Sequence, residues 1–514
     1  MKSRLLVPAL LLGCAGIASA AADDKAPRAT TSVAPTAAPP SSAVPALPVV
    51  QYRLGNGLTV LLSQDRRVPI VATEVVYLVG SSYEKPGKTG FAHLFEHLMF
   101  QGSKHHDEEY FAPFEPIGAE VNGTTSQDRT NYYEHVPQQY TELSLWMESD
   151  RMRSLLDVLT QEKLDNQREV VKNERRQRYE VTPYGMDYWY LSEALYPVGH
   201  PYRHTPIGSH EDLTRASLGD VQAFFKQYYV ASNAALVVAG DFEIEPMKAL
   251  IEKYFGDIRA GERALQPKAE TPKITAPVHW VAEDDVELPR VYLAWHTPAL
   301  LEEGDADLDL LSAVLSDGKS SRLFQSLVYQ DKVAKDVSAY QMSHKLSGVY
   351  MITATAAPGV SVEKLGQALE EALKKALATP PTEVELTRAR SQFKKDFFHR
   401  LEGIGEKASL IGSYFLHTGQ GDAIARDYGR YVDASAATVK AAGDKYLDLG
   451  HVVRLDFVPG KKDAPVRVVP PAARPAAPVS AAPISAAPAA PAAKPAAAAQ
   501  PAAAAPTTSS SAVK

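Results

Sequence analysis

Positions 90–100 carry the run Gly90-Phe91-Ala92-His93-Leu94-Phe95-Glu96-His97-Leu98-Met99-Phe100. Its apolar residues recur at the spacing of a helix that is buried over most of its surface, which predicts a helix within residues 90–102. At about 100° per residue, His93, Glu96 and His97 share one face of that helix. Burying three ionisable side chains on an otherwise apolar helix is costly unless something satisfies them.

A divalent metal ion satisfies all three side chains at once. Two imidazoles at i and i+4 present nitrogens to one ion, and a carboxylate one turn away is placed to take a proton from a water on that ion. Hydrogen-bonded core histidines would account for either His alone, but not readily for both together with Glu96. The run therefore predicts a metal site with His93 and His97 as ligands and Glu96 as a general base.

A zinc site of this kind needs a third protein ligand. On the helix predicted over residues 161–179, Leu164, Gln167, Val171 and Glu174 form one stripe, and Glu174 is its acidic member. An inward Glu on a charged helix is also often a salt-bridged residue without a metal, so periodicity alone leaves both interpretations open.

Length and composition limit the classes of protein that fit. A chain of 514 residues is expected to form two or three units, and 45% apolar residues are enough for sizeable cores. With 54 Lys plus Arg against 61 Asp plus Glu, the net charge is only -7. Without a dense basic block, nucleic acid is excluded as an expected partner.

The N-terminus has the pattern of an export signal. Lys2 and Arg4 precede an apolar run that ends in Ala18-Ser19-Ala20, as in a cleaved signal peptide, so we expect a periplasmic protein. The alternative is a lipoprotein anchored through Cys14, and only in that case is membrane attachment expected. Cys14 is the single cysteine, so the mature chain is expected to fold without a disulfide.

Composition and periodicity divide the chain into six segments. We predict a signal peptide at 1–20, a low-complexity linker at 21–48, a metal-binding domain at 49–260, a linker at 261–277, a second domain at 278–460, and an Ala/Pro-rich disordered tail at 461–514. The second domain repeats the strand and helix order of the first. Aligning Gly318 with Gly102 places Asp309 on His93, so the second copy is expected to lack a metal site.

Four segments together resemble the pitrilysin or insulinase metallopeptidases, which carry the inverted zinc motif H-x-x-E-H. They are 90–100, Gly118-Ala119-Glu120-Val121-Asn122-Gly123-Thr124-Thr125, Thr130-Asn131-Tyr132-Tyr133, and Arg168-Glu169-Val170-Val171-Lys172-Asn173-Glu174. The resemblance implies an α+β fold of two homologous pitrilysin-type domains, each an antiparallel-rich sheet with helices packed on it. It also implies a zinc endopeptidase with one Zn²⁺ per chain, Glu174 as third ligand, and peptides as substrates.

In that family, extended peptides add to a sheet edge, which corresponds here to residues 119–125. Asn122 and Thr125 are the candidate substrate-binding residues, although Asn122-Gly123 is also a turn dipeptide in its own right. Gln167 occupies a position where many members have a Glu that supports the ligands, so it is a candidate for holding a ligand histidine through a hydrogen bond.

The second domain departs from the family pattern at two positions. Val328 and Lys335 stand where family peptidases commonly offer an Arg and a Tyr to the substrate. A second pitrilysin-like chain is therefore an expected partner, with a heterodimer favoured over a homodimer. The alternative function is a non-hydrolytic peptide-binding or assembly subunit of such a heterodimer.

Overall fold

A computed structural model describes residues 47–460 and the backbone of Val468–Val469. The predicted signal peptide, Cys14, nearly all of the first linker and most of the Ala/Pro-rich tail lie outside these residues. Within them, no helix combines the length and the apolar character needed to cross a membrane.

The first repeat is built on a six-stranded sheet with the order β1-β2-β6-β3-β5-β4. Its strands are β1 (Val50–Arg53), β2 (Thr59–Gln64), β3 (Ile70–Tyr77), β4 (Glu120–Thr125), β5 (Thr130–Pro137) and β6 (Ala234–Gly240). All neighbours are antiparallel except β2 and β6. The inner strands β2, β3 and β6 are almost wholly buried, because both faces of the sheet are covered.

Helices cover one face of this sheet. The helices of the first half are α1 (Phe91–Leu98), α2 (Thr141–Ser154), α3 (Gln161–Arg175), α4 (Asp187–Leu195), α5 (His210–Arg215), α6 (Leu218–Tyr228) and α7 (Ile244–Phe255), and all of them except α4 lie on this face. Helix α3 begins after Thr160, which caps it by accepting from the Lys163 backbone N–H. After α3 the chain makes one π-helical turn, Arg176–Glu180.

The second repeat has the order β12-β7-β11-β8-β10-β9, which matches the first in five strands, while the C-terminal β12 takes the edge place that β1 holds in the first sheet. Its strands are β7 (Val278–Asp284), β8 (Arg290–Thr297), β9 (Ala334–Ser343), β10 (Gly348–Ala356), β11 (Val453–Pro459) and β12 (Val468–Val469), and its helices are α8 (Asp305–Ser316), α9 (Val362–Leu377), α10 (Glu383–Glu402), α11 (Ile404–Thr418), α12 (Ile424–Asp433) and α13 (Ala436–Tyr446). As in the first sheet, one pair of strands is parallel, β7 with β11. Strand β8 lies between β11 and β10 and is antiparallel to both. The predicted α+β class with two homologous, antiparallel-rich sheets is confirmed.

Each repeat covers the far face of the other repeat's sheet. Helix α11, from the second half of the chain, packs its buried residues Ile411 and Tyr414 against the first sheet. Helix α4, from the first half, packs Leu191 and Leu195 against the second sheet. The two hydrophobic cores are therefore completed reciprocally, although residues 259–277 between the sheets contain no helix or strand.

Polar contacts fix this exchange. Ser409 on α11 donates to Glu74 on β3 at 2.9 Å, and Lys407 pairs with Asp65. The predicted domain boundaries separate the two sheets. They do not separate the two hydrophobic cores, because α4 and α11 each pack on the sheet of the other half. The boundaries stay a prediction.

Strand β12 lies inside the segment predicted to be a disordered tail. Val468–Val469 pairs antiparallel with β7 at positions 281 and 282. Two β-branched residues suffice to extend a sheet edge by one short strand. Regular structure thus reaches slightly beyond residue 460.

Candidate metal centre

Helix α1 presents His93, Glu96 and His97 on one face. The two imidazole rings lie 4.8 Å apart between centroids and nearly perpendicular. Leu94, Phe95 and Leu98 on the remaining surface of the helix are fully buried in the first core. The apolar residues therefore fix the rotation of α1, and the ionisable face is left toward the sheet edge and α3.

The start of α1 is held by Glu84, which the sequence did not single out. Its buried carboxylate accepts from the backbone N–H groups of Gly90 at 2.9 Å and Ala92 at 2.8 Å. His204 lies 3.0 Å from the same carboxylate through Nε2. Gly90 has a φ of +90°, and a Cβ there would come within 2.8 Å of the Ile207 carbonyl. Both features place α1 rigidly.

Glu174, on the last turn of α3, meets both histidines. Its Oε2 lies 3.1 Å from His93 Nε2 and 3.2 Å from His97 Nε2. One donor atom from each of the three residues falls within 4.8 Å of the others, and no second such group of His, Cys, Asp or Glu exists in the part of the chain described. Two imidazoles and one carboxylate form a donor set that suits zinc.

Burial keeps this cluster apart from bulk solvent. The His93 and Glu96 side chains are each 12% exposed, and those of Glu174 and His97 are 16% and 21% exposed. Convergence of partly buried nitrogen and oxygen donors, with no apolar group between them, fits a divalent ion.

The carboxylates dominate the local electrostatics. Burial alone would lower the pKa of His93, but hydrogen bonds to Glu174 and Glu96 outweigh it and raise that pKa to about 10. Burial opposes ionisation of Glu96 and Glu174 as well, yet the neighbouring histidines hold the pKa of both carboxyls below the ordinary value. Both carboxylates are therefore ionised at neutral pH.

Strand β4 borders the centre and forms the free edge of the first sheet. Thr125, on this strand, donates its hydroxyl to Glu96 Oε2 at 2.6 Å. A Cβ at Gly123 would lie 3.2 Å from Glu96 Cγ, so the small residue lets the strand approach the carboxylate. The exposed Asn122 points its carbonyl oxygen to the Gly123 N–H at 2.8 Å.

Gln167 lies on the inward side of α3 but does not contact the ligands. Its side chain is 7% exposed and donates to Asn166 Oδ1 at 3.2 Å. Among the described residues, Arg178 contacts a ligand instead, because its guanidinium lies 2.8 Å from Glu174 Oε1. The i, i+4 spacing of Glu174 and Arg178 was the sequence signal for this pair.

The corresponding place in the second repeat has no histidine. Asp309 on α8 lines a cavity of about 400 Å³ there. Burial raises the pKa of Asp309 to about 7, and the Tyr431 hydroxyl donates to it. Val328 is half-buried against the second core, and Lys335 is exposed.

Comparisons with known proteins agree with this architecture. Residues 59–184 match the family model "Insulinase (Peptidase family M16)", and residues 215–393 match "Peptidase M16 inactive domain". The chain is 32% identical over 372 residues to the zinc protease PqqE of Helicobacter pylori, covering 71% of this chain and 82% of that protein.

Solved structures show the same fold. A protease from Helicobacter pylori superposes with a TM-score of 0.76 at 28% identity, covering 80% of this chain and all of that one. The periplasmic protease PqqL from Escherichia coli has a TM-score of 0.68 at 16% identity, and the match covers 81% of this chain but 48% of PqqL.

Proposed function

Because this chain belongs to the insulinase family of peptidases, M16, we propose that it is a zinc-dependent endopeptidase that hydrolyses peptides or small unfolded proteins in the cell envelope. The observation that carries the proposal is the convergence of His93, His97 and Glu174 donor atoms within 4.8 Å, beside the buried carboxylate of Glu96. These three residues would hold the metal.

Glu96 acts as the general base. Its lowered pKa keeps it ionised, so it can accept a proton from the attacking water and pass it to the leaving amine. Thr125 holds the Glu96 carboxylate through a hydrogen bond of 2.6 Å. The chemistry that zinc supplies when bound is Lewis acidity toward the scissile carbonyl and the water.

Strand β4 orients the substrate. Its outer edge has no strand partner among the described residues, and an extended peptide can pair with its backbone. Thr125 then places the end of that edge next to Glu96. Since main-chain hydrogen bonds carry little side-chain information, the strand would accept many peptide sequences.

The proposal includes a second related chain. Val328 and Lys335 leave this chain without the Arg and Tyr that its family resemblance leads us to expect, and a partner would supply them across a shared chamber. The match to only 48% of PqqL is compatible with two such units forming one chamber. We place the assembly in the periplasm because of the signal-like residues 1–20, which lie outside the described residues.

The test combines metal analysis with peptide cleavage. We expect the purified chain to hold one zinc and to cleave quenched fluorescent peptides, and Glu96→Gln to keep zinc while activity falls about 10²- to 10⁴-fold. Glu174→Ala should lose zinc, whereas Glu169→Gln, an exposed change on the same helix, should leave both properties unchanged. Full activity of zinc-loaded Glu96→Gln would contradict the mechanism.

The partner is tested separately. Cleavage is measured for the chain alone and after adding proteins that co-purify with it from the cell envelope. Higher turnover in a stable heterodimer supports the assembly, and equal turnover by a strict monomer contradicts it. Zinc binding without cleavage in either state would favour the non-hydrolytic subunit.

A further inference from the structure

We propose that Arg178 determines substrate specificity by selecting peptides with an acidic side chain next to the scissile bond. The inference rests on the proposed peptidase function and adds a substrate class to it. Its basis is the position of Arg178, whose guanidinium lies 2.8 Å from Glu174 Oε1.

The Glu174 carboxylate is shared between two environments. Its Oε2 faces His93 and His97, and its Oε1 faces Arg178. The guanidinium therefore lies at the rim of the centre. The Arg178 side chain is 72% exposed, so most of its five N–H donors face solvent and are available to an incoming group.

The other cations of this region are held elsewhere. Lys172 pairs with Glu169, Arg175 binds Glu180 and the Gly208 carbonyl, and Arg176 binds Asn173. Each of these contacts lies away from the ligand set. Among the described residues, Arg178 is the one cationic Lys or Arg side chain in contact with His93, Glu96, His97 or Glu174.

The charge balance favours an anionic group. A divalent ion together with ionised Glu96 and Glu174 is neutral, so Arg178 leaves the centre with one excess positive charge. Two other acids on the flanking elements are already paired: Glu180 with Arg175 and His210, and Glu120 with His135. A carboxylate on the substrate would therefore pair with the exposed part of the Arg178 guanidinium, which keeps its contact with Glu174.

The strand geometry brings the substrate close to Arg178. A peptide paired along β4 passes Glu96 at Thr125, and Glu174 contacts His93 and His97 of the same cluster. Successive substrate residues are about 3.8 Å apart. A guanidinium in contact with a ligand carboxylate is therefore within reach of a side chain adjacent to the scissile carbonyl, where Arg pairs with Asp or Glu in a bidentate manner.

The competing role is purely positional: the ion pair would only hold Glu174 in place. The two roles separate experimentally. Quenched peptides that differ only by Asp, Gln or Lys at each of the two residues on either side of the cleaved bond are compared for the native protein, Arg178→Gln and Arg176→Gln.

We expect the native protein to prefer Asp over Gln at one position by about three- to fivefold in kcat/KM, the size expected of an ion pair with a side chain that is 72% exposed. Arg178→Gln should lose that preference, Arg176→Gln should retain it, and Arg178→Glu should favour the Lys peptide. Zinc affinity, measured by competition with a chelator, should be unchanged in Arg178→Gln.

A second measurement does not depend on turnover. Fluorescence anisotropy of labelled Asp and Gln peptides on zinc-loaded Glu96→Gln protein should show tighter binding of the Asp peptide, and an added Arg178→Gln change should abolish the difference. If no peptide is cleaved but this difference persists, the peptidase proposal fails while the selectivity stands. Equal treatment of Asp, Gln and Lys peptides by the native protein would overturn the inference. It would also be overturned by a uniform loss of activity with reduced zinc affinity in Arg178→Gln.

Discussion

Replacing Glu84 with Ala should loosen the metal centre without touching a ligand. The Glu84 side chain is fully buried and accepts the backbone N–H groups of Gly90 and Ala92 at the start of α1. It also neutralises His204 at 3.0 Å. The substitution leaves two helix-terminal donors without their acceptor, and His204 keeps only its contact with the Ser81 carbonyl at 2.9 Å.

The magnitude follows from these contacts. Loss of a helix cap costs about 1–2 kcal/mol, and a buried polar group left without its partner costs about 1–3 kcal/mol. A combined loss of about 2–5 kcal/mol corresponds to a fall in Tm of about 4–20 °C if the unfolding unit is about 200 residues. Because His93 and His97 are on the same helix, the apparent zinc affinity should fall about tenfold, as expected when ligand orientation is disturbed.

The assay is thermal unfolding by calorimetry, with and without zinc, together with chelator competition. Glu108→Ala, at an exposed position beyond the same helix, is the control. An unchanged Tm and zinc affinity in Glu84→Ala would refute the idea that this carboxylate sets the position of α1. Glu84→Gln should be intermediate, since an amide oxygen can still accept one of the two N–H groups.

Three further outcomes are expected. Truncation after residue 470 should leave Tm and peptide cleavage unchanged, since the remaining Ala/Pro-rich tail has little to bury; a clear fall in Tm on calorimetry would contradict this. Phe457→Ala should lower stability by about 3–5 kcal/mol, because this fully buried ring packs against Tyr190 of α4 and Tyr292 of the second sheet; denaturant unfolding measures it. Burial lowers the pKa of His417 to about 4. Because this folded-state pKa lies below the unfolded value of about 6.5, the stability that neutral His417 contributes is fully present above about pH 6.5 and is lost as the pH falls toward 4. His417→Gln should flatten that decline in Tm, and an identical pH profile would count against it.

Much of the site was predictable because it lies on regular elements. The spacing of His93, Glu96 and His97 indicated one helix face, and the structure brings that face to Glu174. The sequences of β3 and β6 are also typical of buried strands, since their runs of β-branched and apolar residues are buried on both faces of a sheet.

Other features depend on contacts between distant residues. The break between α2 and α3 is hidden because Leu155 and Leu159 continue the apolar spacing through it. Glu84 is an ordinary loop acid in the sequence, and only the fold brings it to α1 and His204. Gln167 was expected to support a metal ligand, but its side chain does not contact one, because its amide donates to Asn166 instead.

The exchange of α4 and α11 bears on how the chain acquires its structure during synthesis. The contact between Glu74 and Ser409 joins residues 335 positions apart. The apolar residues around Val76 and Val237 are covered by the same helix, α11. A nascent first repeat would leave the ribosome with one apolar face of its sheet uncovered. That face could aggregate or bind a chaperone until α11 emerged. Docking of α11 would be the last step that closes the first core, and chains that end before residue 404 should be markedly more sensitive to protease than chains from which α11 has fully emerged.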